Sequence, residues 1–231
     1  MAGSRPTQAS SSDQDGSQEA AGLPPRRSPV TGIVLAGGKS SRLGQDKALV
    51  RLDGATTLAE MAVRCLAPLV EEVIVVGDVE RLAALPARVV PDLYPGAGTL
   101  GGIYTGLTAG GHEHAFVVAC DMPFLSADLL GYMIALPRDY DVLLPRLARG
   151  RFEPLHAVYS RRCLAPIRDR LEIEQYRIIG FLGEVRVRYL DEPELRRLDP
   201  ELRSFHNVNT PDDLLRAIEM FRSQSSRPAE D

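Results

Sequence analysis

The stretch VTGIVLAGGKSSRLGQDK, residues 30–47, decides how the chain is read. Val30 to Ala36 is a short, mostly apolar run stopped by Gly37-Gly38, so it reads as a strand buried on both faces that ends in a turn. The loop after it carries Gly37 and Gly38, Ser40 and Ser41, Arg42 and Lys47. Gly37 and Gly38 have no Cβ, so backbone amides there can come close to a phosphate or a base. Arg42 and Lys47 add fixed positive charge, and together these residues suit a triphosphate lying over the loop. A Walker loop is the rival pattern. It needs a glycine five residues before Gly38-Lys39-Ser40, where Ile33 stands. The plain alternative is a Gly-rich turn with solvated charges.

The same alternation continues outward. Thr57 to Pro68 has apolar residues at helical spacing, with Thr56 or Thr57 as N-cap. Val73–Val76 and Arg88–Val90 read as strands, and Leu100–Ala109 as a helix after a Gly-rich turn. Ala115–Cys120 is a further buried strand, and Ser126 caps the next helix. Asp141–Pro145 and Leu155–Ser160 are read as strands, and His206–Asn209 as a short strand before a helix capped by Thr210. The expected fold is α/β: a mostly parallel central sheet with helices on both faces and a ligand crevice at the carboxyl ends of the strands.

The chain has 231 residues, 44% hydrophobic and 25% charged, ordinary proportions for a soluble globular protein, and its length suits one α/β domain with tails or two small domains. Residues 1–28 are Ser-, Gln-, Pro- and Gly-rich without apolar periodicity and read as a disordered tail. They show no secretory h-region, and the apolar run after Arg26-Arg27 is too short for an export signal. Residues 29–222 form the expected domain, and 223–231 a C-terminal tail. No apolar run approaches the roughly 18–20 residues of a membrane-spanning helix. A net charge of −4 argues against a general nucleic-acid binder. Three scattered cysteines, Cys65, Cys120 and Cys163, give neither a disulfide framework nor metal spacing and read as core residues. The default setting is reducing and cytoplasmic.

Three further places carry candidate chemistry. Asp121 stands at the end of a buried strand, in VVACDMP. A carboxylate there would repel a polyphosphate unless a cation lay between them, and Mg²⁺ takes such ligands. Capping of the next helix is its structural alternative, although Ser126 already does that. Asp92 comes directly after Val89-Val90-Pro91 and reads equally as a turn aspartate or as an acceptor for a ribose hydroxyl. Asn207 and Asn209 precede the last helix, where their amides would face the cleft. His156 reads as a packed residue, and Arg146, Arg149 and Arg151 as a solvated run.

Six stretches in order resemble the molybdenum cofactor guanylyltransferase family: LAGGKSSRLGQDKALV (35–50), VVPD (89–92), TLGGIYTGL (99–107), VVACDMPFL (117–125), EPLHAVYS (153–160) and NVNTPDDL (207–214). The resemblance implies a three-layer Rossmann-like nucleotidyltransferase fold. It implies backbone contacts to the nucleotide at Leu35, Ala36 and Gly37, a phosphate-binding lysine at Lys47, a nucleotide-contacting aspartate at Asp92 and a Mg²⁺ ligand at Asp121. The implied reaction moves GMP from GTP to molybdopterin and releases pyrophosphate. Other cofactor-biosynthesis proteins and molybdoenzyme chaperones are the implied partners. The chain departs from the family at Thr99, where proline is frequent, at Glu153, where glutamine is frequent, and at Gly77-Asp78, where asparagine is frequent. A cytidylyltransferase or a sugar-phosphate nucleotidyltransferase is the alternative enzyme. A nucleotide-binding accessory protein without turnover is the alternative of another class.

Overall fold

In the computed structural model, residues 27–37 and 46–225 are described. β1 (Ser28–Leu35) lies inside the sheet, and its side chains alternate between two cores. A 3-10 turn (Lys47–Leu49) leads to α1 (Leu58–Leu66), β2 (Val70–Val76) and β3 (Arg88–Val90). Next come α2 (Gly98–Ala109), β4 (His114–Ala119), α3 (Ala127–Ala135), β5 (Val142–Leu147), β6 (Arg151–Phe152) and β7 (His156–Ser160). The chain then forms α4 (Leu164–Glu172), β8 (Val187–Asp191), α5 (Glu192–Leu195) and α6 (Pro211–Ser225).

The sheet order is β3-β2-β1-β4-β7-β5-β6, with β8 paired to β5. The pairs β1–β2, β1–β4, β2–β3 and β5–β8 are parallel, while β7 and β6 run antiparallel to their neighbours. The mostly parallel sheet expected from the continuous apolar runs is therefore present.

Strand alternation makes the layers. Val34, Phe116 and Val118 point to one face and pack with Ala62 and Leu66 of α1 and Leu130 and Met133 of α3. Ile33, Leu35 and Val117 point to the other and pack with Ile103 and Leu107 of α2 and Ile167 of α4. The contact of α2 with the sheet is close. A Cβ on Gly106 would come within 2.6 Å of Ile33 Cγ2, so glycine is what lets helix and strand approach. Helix starts obey the sequence signals. Thr57 accepts a hydrogen bond from Glu60 N–H and Ser126 one from Leu129 N–H. Thr210 and Asp213 exchange bonds as a capping box at the start of α6.

One expected element is absent. His206–Asn209 is irregular backbone, not a strand. Only Val208 of the four is buried, and its N–H donates to Asp121 O at 2.8 Å, without a ladder on either side. α6 continues through Ser225, beyond Ser223, where the composition turns tail-like.

Candidate functional site

Parallel pairing brings two chain exits side by side. Leu35 pairs with Ala119, Cys120 N–H donates to Leu35 O at 3.0 Å, and Ala36 N–H donates to Val76 O at 2.9 Å. Gly37 and Asp121 therefore leave the sheet together at the carboxyl ends of β1 and β4. Ala36 has spent its N–H on β2, which makes Gly37 the first amide beyond the ladder. A Cβ at Gly37 would find Val76 O as its nearest neighbour, 4.0 Å away.

A cavity of about 230 Å³ opens over these ends, lined by Leu35, Ala36, Gly37, Lys47, Thr99 and Asp121 among others. Lys47 Nζ donates to Asp121 Oδ2 at 3.1 Å and to Asn209 Oδ1 at 2.5 Å. The Lys47 and Asp121 side chains are 23% and 17% exposed, so the pair is only partly screened by water. Lys47 is aimed by its own turn. Asp46 caps that turn, accepting from Ala48 N–H at 3.1 Å, and its other oxygen lies 2.8 Å from Arg81 Nε.

A second cavity of about 400 Å³ adjoins the first, sharing Leu35, Gly37 and Thr99 and adding Asp92, Gly98 and Gly102. Asp92 Oδ1 accepts from Tyr94 N–H at 3.0 Å, which is a turn contact, and from Thr105 Oγ1 at 2.9 Å. Asp92 is thus a turn aspartate, as one of its two sequence readings has it, and it also lines the cavity.

The candidates Leu35, Ala36, Gly37, Lys47 and Asp121 meet in the first cavity, Asp92 lines the second, and Asn209 reaches the first through Lys47. Asn207 lies elsewhere, exposed on a groove with Pro123, Phe124 and His206. Gly38 and Arg42 lie outside the described residues. Thr99, in a Gly-rich segment that reads equally as a nucleotide-packing turn or as tight helix packing, lines both cavities. Two contributors escaped the sequence reading. Thr105 is a hydroxyl on the buried side of a helix, 1% exposed, and that misplaced polarity was its signal. Asp46 showed the N-cap signal before a short turn.

Cys120 sits beside Asp121 without being a nucleophile. Burial, and then the Asp121 charge, push its thiol up to about 12. His156 is fully buried, with no hydrogen-bond partner on either ring nitrogen among the described residues, as a packed histidine. The three cysteines are unpaired. Among the described residues, no group of three or more His, Cys, Asp or Glu side chains gathers as a metal cluster, and no helix is long and apolar enough to cross a membrane.

The model of the MobA-like NTP transferase domain family matches residues 32–185. A probable molybdenum cofactor guanylyltransferase of Pelotomaculum thermopropionicum is 42% identical over 189 residues, 81% of this chain and 91% of that protein. The molybdenum cofactor guanylyltransferase of Desulfosudis oleivorans is 40% identical, covering 81% of this chain and 94% of its own length. Among solved structures, molybdopterin-guanine dinucleotide biosynthesis protein A from Archaeoglobus fulgidus superposes with a TM-score of 0.75 at 31% identity, over 84% of this chain and all of that one.

Proposed function

The chain belongs to the MobA-like NTP transferase family and is a nucleotidyltransferase; on that premise we propose that it transfers GMP from GTP to molybdopterin and releases pyrophosphate. The observation that carries the site assignment is the Lys47–Asp121–Asn209 constellation in the cavity over Leu35–Gly37. In this reading a phosphate oxygen of the acceptor attacks the α-phosphorus in line. The bond from the α-phosphorus to the bridging oxygen breaks, and pyrophosphate leaves with that oxygen. Lys47 and the Gly37 amide stabilise charge on the departing phosphates, at a fixed site that needs no reorganisation. Thr99, between the two cavities, lies along the bound nucleotide, and Asp92 holds its ribose end. Asn209 and the start of α6 face the acceptor. No enzyme nucleophile is required, in keeping with the protonated Cys120.

The family chemistry uses a divalent cation, and Mg²⁺ is the one we infer. The donor set fits. Asp121 is a partly exposed carboxylate at a strand end, and Mg²⁺ takes one or two carboxylates with phosphate oxygens and water. Asp46 is already committed to Ala48 and Arg81. Held by Asp121, the ion would neutralise negative charge on the phosphates. Lys47, positioned by Asn209, would donate to the polyphosphate.

We place the reaction in the cytoplasm, where three unpaired thiols persist, with residues 29–222 as the catalytic unit and with molybdoenzyme chaperones and other cofactor-biosynthesis proteins as downstream partners. Calorimetric titration with GTP, CTP, ATP and UTP in the presence of Mg²⁺, and then pyrophosphate release with the acceptor, test the reading. GTP preference and loss of turnover in Asp121→Ala are expected. Preference for CTP moves the assignment to cytidylyl transfer, and near-normal turnover of the variant removes Asp121 from the metal role.

A further inference from the structure

At the other end of β4, six residues and about 20 Å from the nucleotide cavity, the sheet carries a third, larger cavity of about 540 Å³. It lies where β4, β5 and β8 begin and β7 ends. Four guanidinium groups line it, Arg138, Arg161, Arg162 and Arg186, against the two carboxylates Glu113 and Asp141. This excess is local, because the whole chain has a net charge of −4.

The arginines are held in place rather than spread through solvent. Arg161 Nη1 donates to Leu107 O at 2.9 Å and Gly110 O at 2.8 Å, at the end of α2. Asp141, 6% exposed, works as a strut: its Oδ2 accepts from Arg186 N–H at 2.9 Å and Arg186 Nε at 3.3 Å, and its Oδ1 lies 3.6 Å from Arg162 Nη1. Arg162 remains 67% exposed and Arg138 makes one long bond, 3.4 Å, to Ile134 O, so both keep donors for a ligand. Tyr140 closes the floor of the cavity at 3% exposure, its hydroxyl buried in the core behind it.

We infer that this cavity is a second binding site, remote from the nucleotide cavity, for a small phosphate-bearing anion held by Arg138 and Arg162. Its volume is that of a small-molecule site, and planar guanidinium groups match phosphate oxygens in pairs. Pyrophosphate and a nucleotide share this chemistry.

His114 is a built-in reporter. It lines the cavity, and its imidazole is pulled below its usual range by burial and then by the Arg138 charge. Glu113, the Tyr140 backbone and Asp141 act the other way. An anion beside Arg138 offsets that charge and raises the His114 titration point. The experiment tracks the histidine ring resonances of the full chain by NMR during titration with inorganic pyrophosphate, and separately with GTP. The His114 signal is expected to move saturably at millimolar ligand or below, and to do so equally in Lys47→Ala. In Arg138→Gln/Arg162→Gln the affinity read at His114 is expected to fall roughly tenfold or more, with unchanged turnover. Arg162→Gln alone, at an exposed side chain, serves if the pair does not fold. Response to pyrophosphate alone makes the released product the occupant, and response to GTP in Lys47→Ala makes it a nucleotide. A His114 signal that does not move, that moves equally in the arginine variants, or that stops moving in Lys47→Ala overturns the inference.

Discussion

Asn209 Oδ1 and Lys47 Nζ meet at 2.5 Å although they stand 162 positions apart in the chain. The contact is set by the capping box of α6, whose Asp213 carboxylate accepts from both Asn209 N–H and Thr210 N–H. The start of the last helix thereby fixes the ammonium that faces the nucleotide. A hydrogen bond to a charged group contributes about 1.5–3 kcal/mol. Asn209→Ala is expected to weaken GTP binding about tenfold or more even without acceptor, with the unfolding midpoint nearly unchanged. Calorimetry with GTP alone separates this from a role confined to the acceptor, which would leave nucleotide affinity intact.

Asp92 depends in the same way on Thr105. One hydroxyl lies 2.9 Å from Asp92 Oδ1, 3.0 Å from Leu93 N and 2.9 Å from Gly101 O, and it is buried. Thr105→Val keeps the shape and leaves these groups short of a partner, a cost of about 1–3 kcal/mol. Urea unfolding is expected to show that loss, with weaker GTP binding, and Thr105→Ser is expected to recover both. A valine variant as stable as the parent would show that Asp92 is held by its own turn alone.

What the sequence could reveal divides along physical lines. β1 and β4 were plain because they are buried on both faces over most of their length and therefore mostly apolar, and Thr57, Ser126 and Thr210 marked helix starts because capping is local chemistry. β8 carried no such mark. Of Val187–Asp191 only Leu190 is buried, and Tyr189 is exposed, as on the rim of a sheet. His206–Asn209 misled because polar alternation around Val208 resembles a half-buried strand, while pairing needs a partner that only the fold can supply. Lys47 and Asp121 were visible as residue types at strand ends. Their contact with Asn209, the Thr105–Asp92 bond and the arginine cavity all join distant segments, and periodicity carries no information about those.

Two glycines in the α/β core separate packing from binding. A Cβ on Gly106 meets Ile33 Cγ2 at 2.6 Å and Cδ1 at 2.7 Å inside a filled layer. Gly106→Ala is expected to lose about 1–3 kcal/mol of stability through overpacking. Among the described residues Gly37→Ala meets nothing nearer than 4.0 Å, and it is expected to unfold like the parent, within about 0.5 kcal/mol. Its methyl group nonetheless projects where the polyphosphate approaches, so nucleotide affinity should fall. Wild-type GTP affinity in Gly37→Ala would remove that residue from the binding loop.

His156 gives the fold a specific weakness to acid. Its ring lies between Phe116 and Phe205, at centroid distances of 5.3 and 4.8 Å, and neither nitrogen has a partner. Burial lowers its pKa from the usual 6.5 to about 3, with Asp199 pulling weakly the other way. The unfolded chain therefore binds a proton below about pH 6.5 that the folded chain refuses until about pH 3. The stabilisation is complete above the unfolded value and is lost as pH falls through this window, by on the order of 1.4 kcal/mol per pH unit. Between about pH 7.5 and pH 5 the parent is expected to lose about 2 kcal/mol from this group. His156→Leu removes the titrating group and keeps an apolar side chain of similar size, so its stability is expected to change less over that range. Urea unfolding of both proteins at the two pH values measures the difference, and parallel profiles would mean that the ring takes up its proton as readily in the fold as in the unfolded chain.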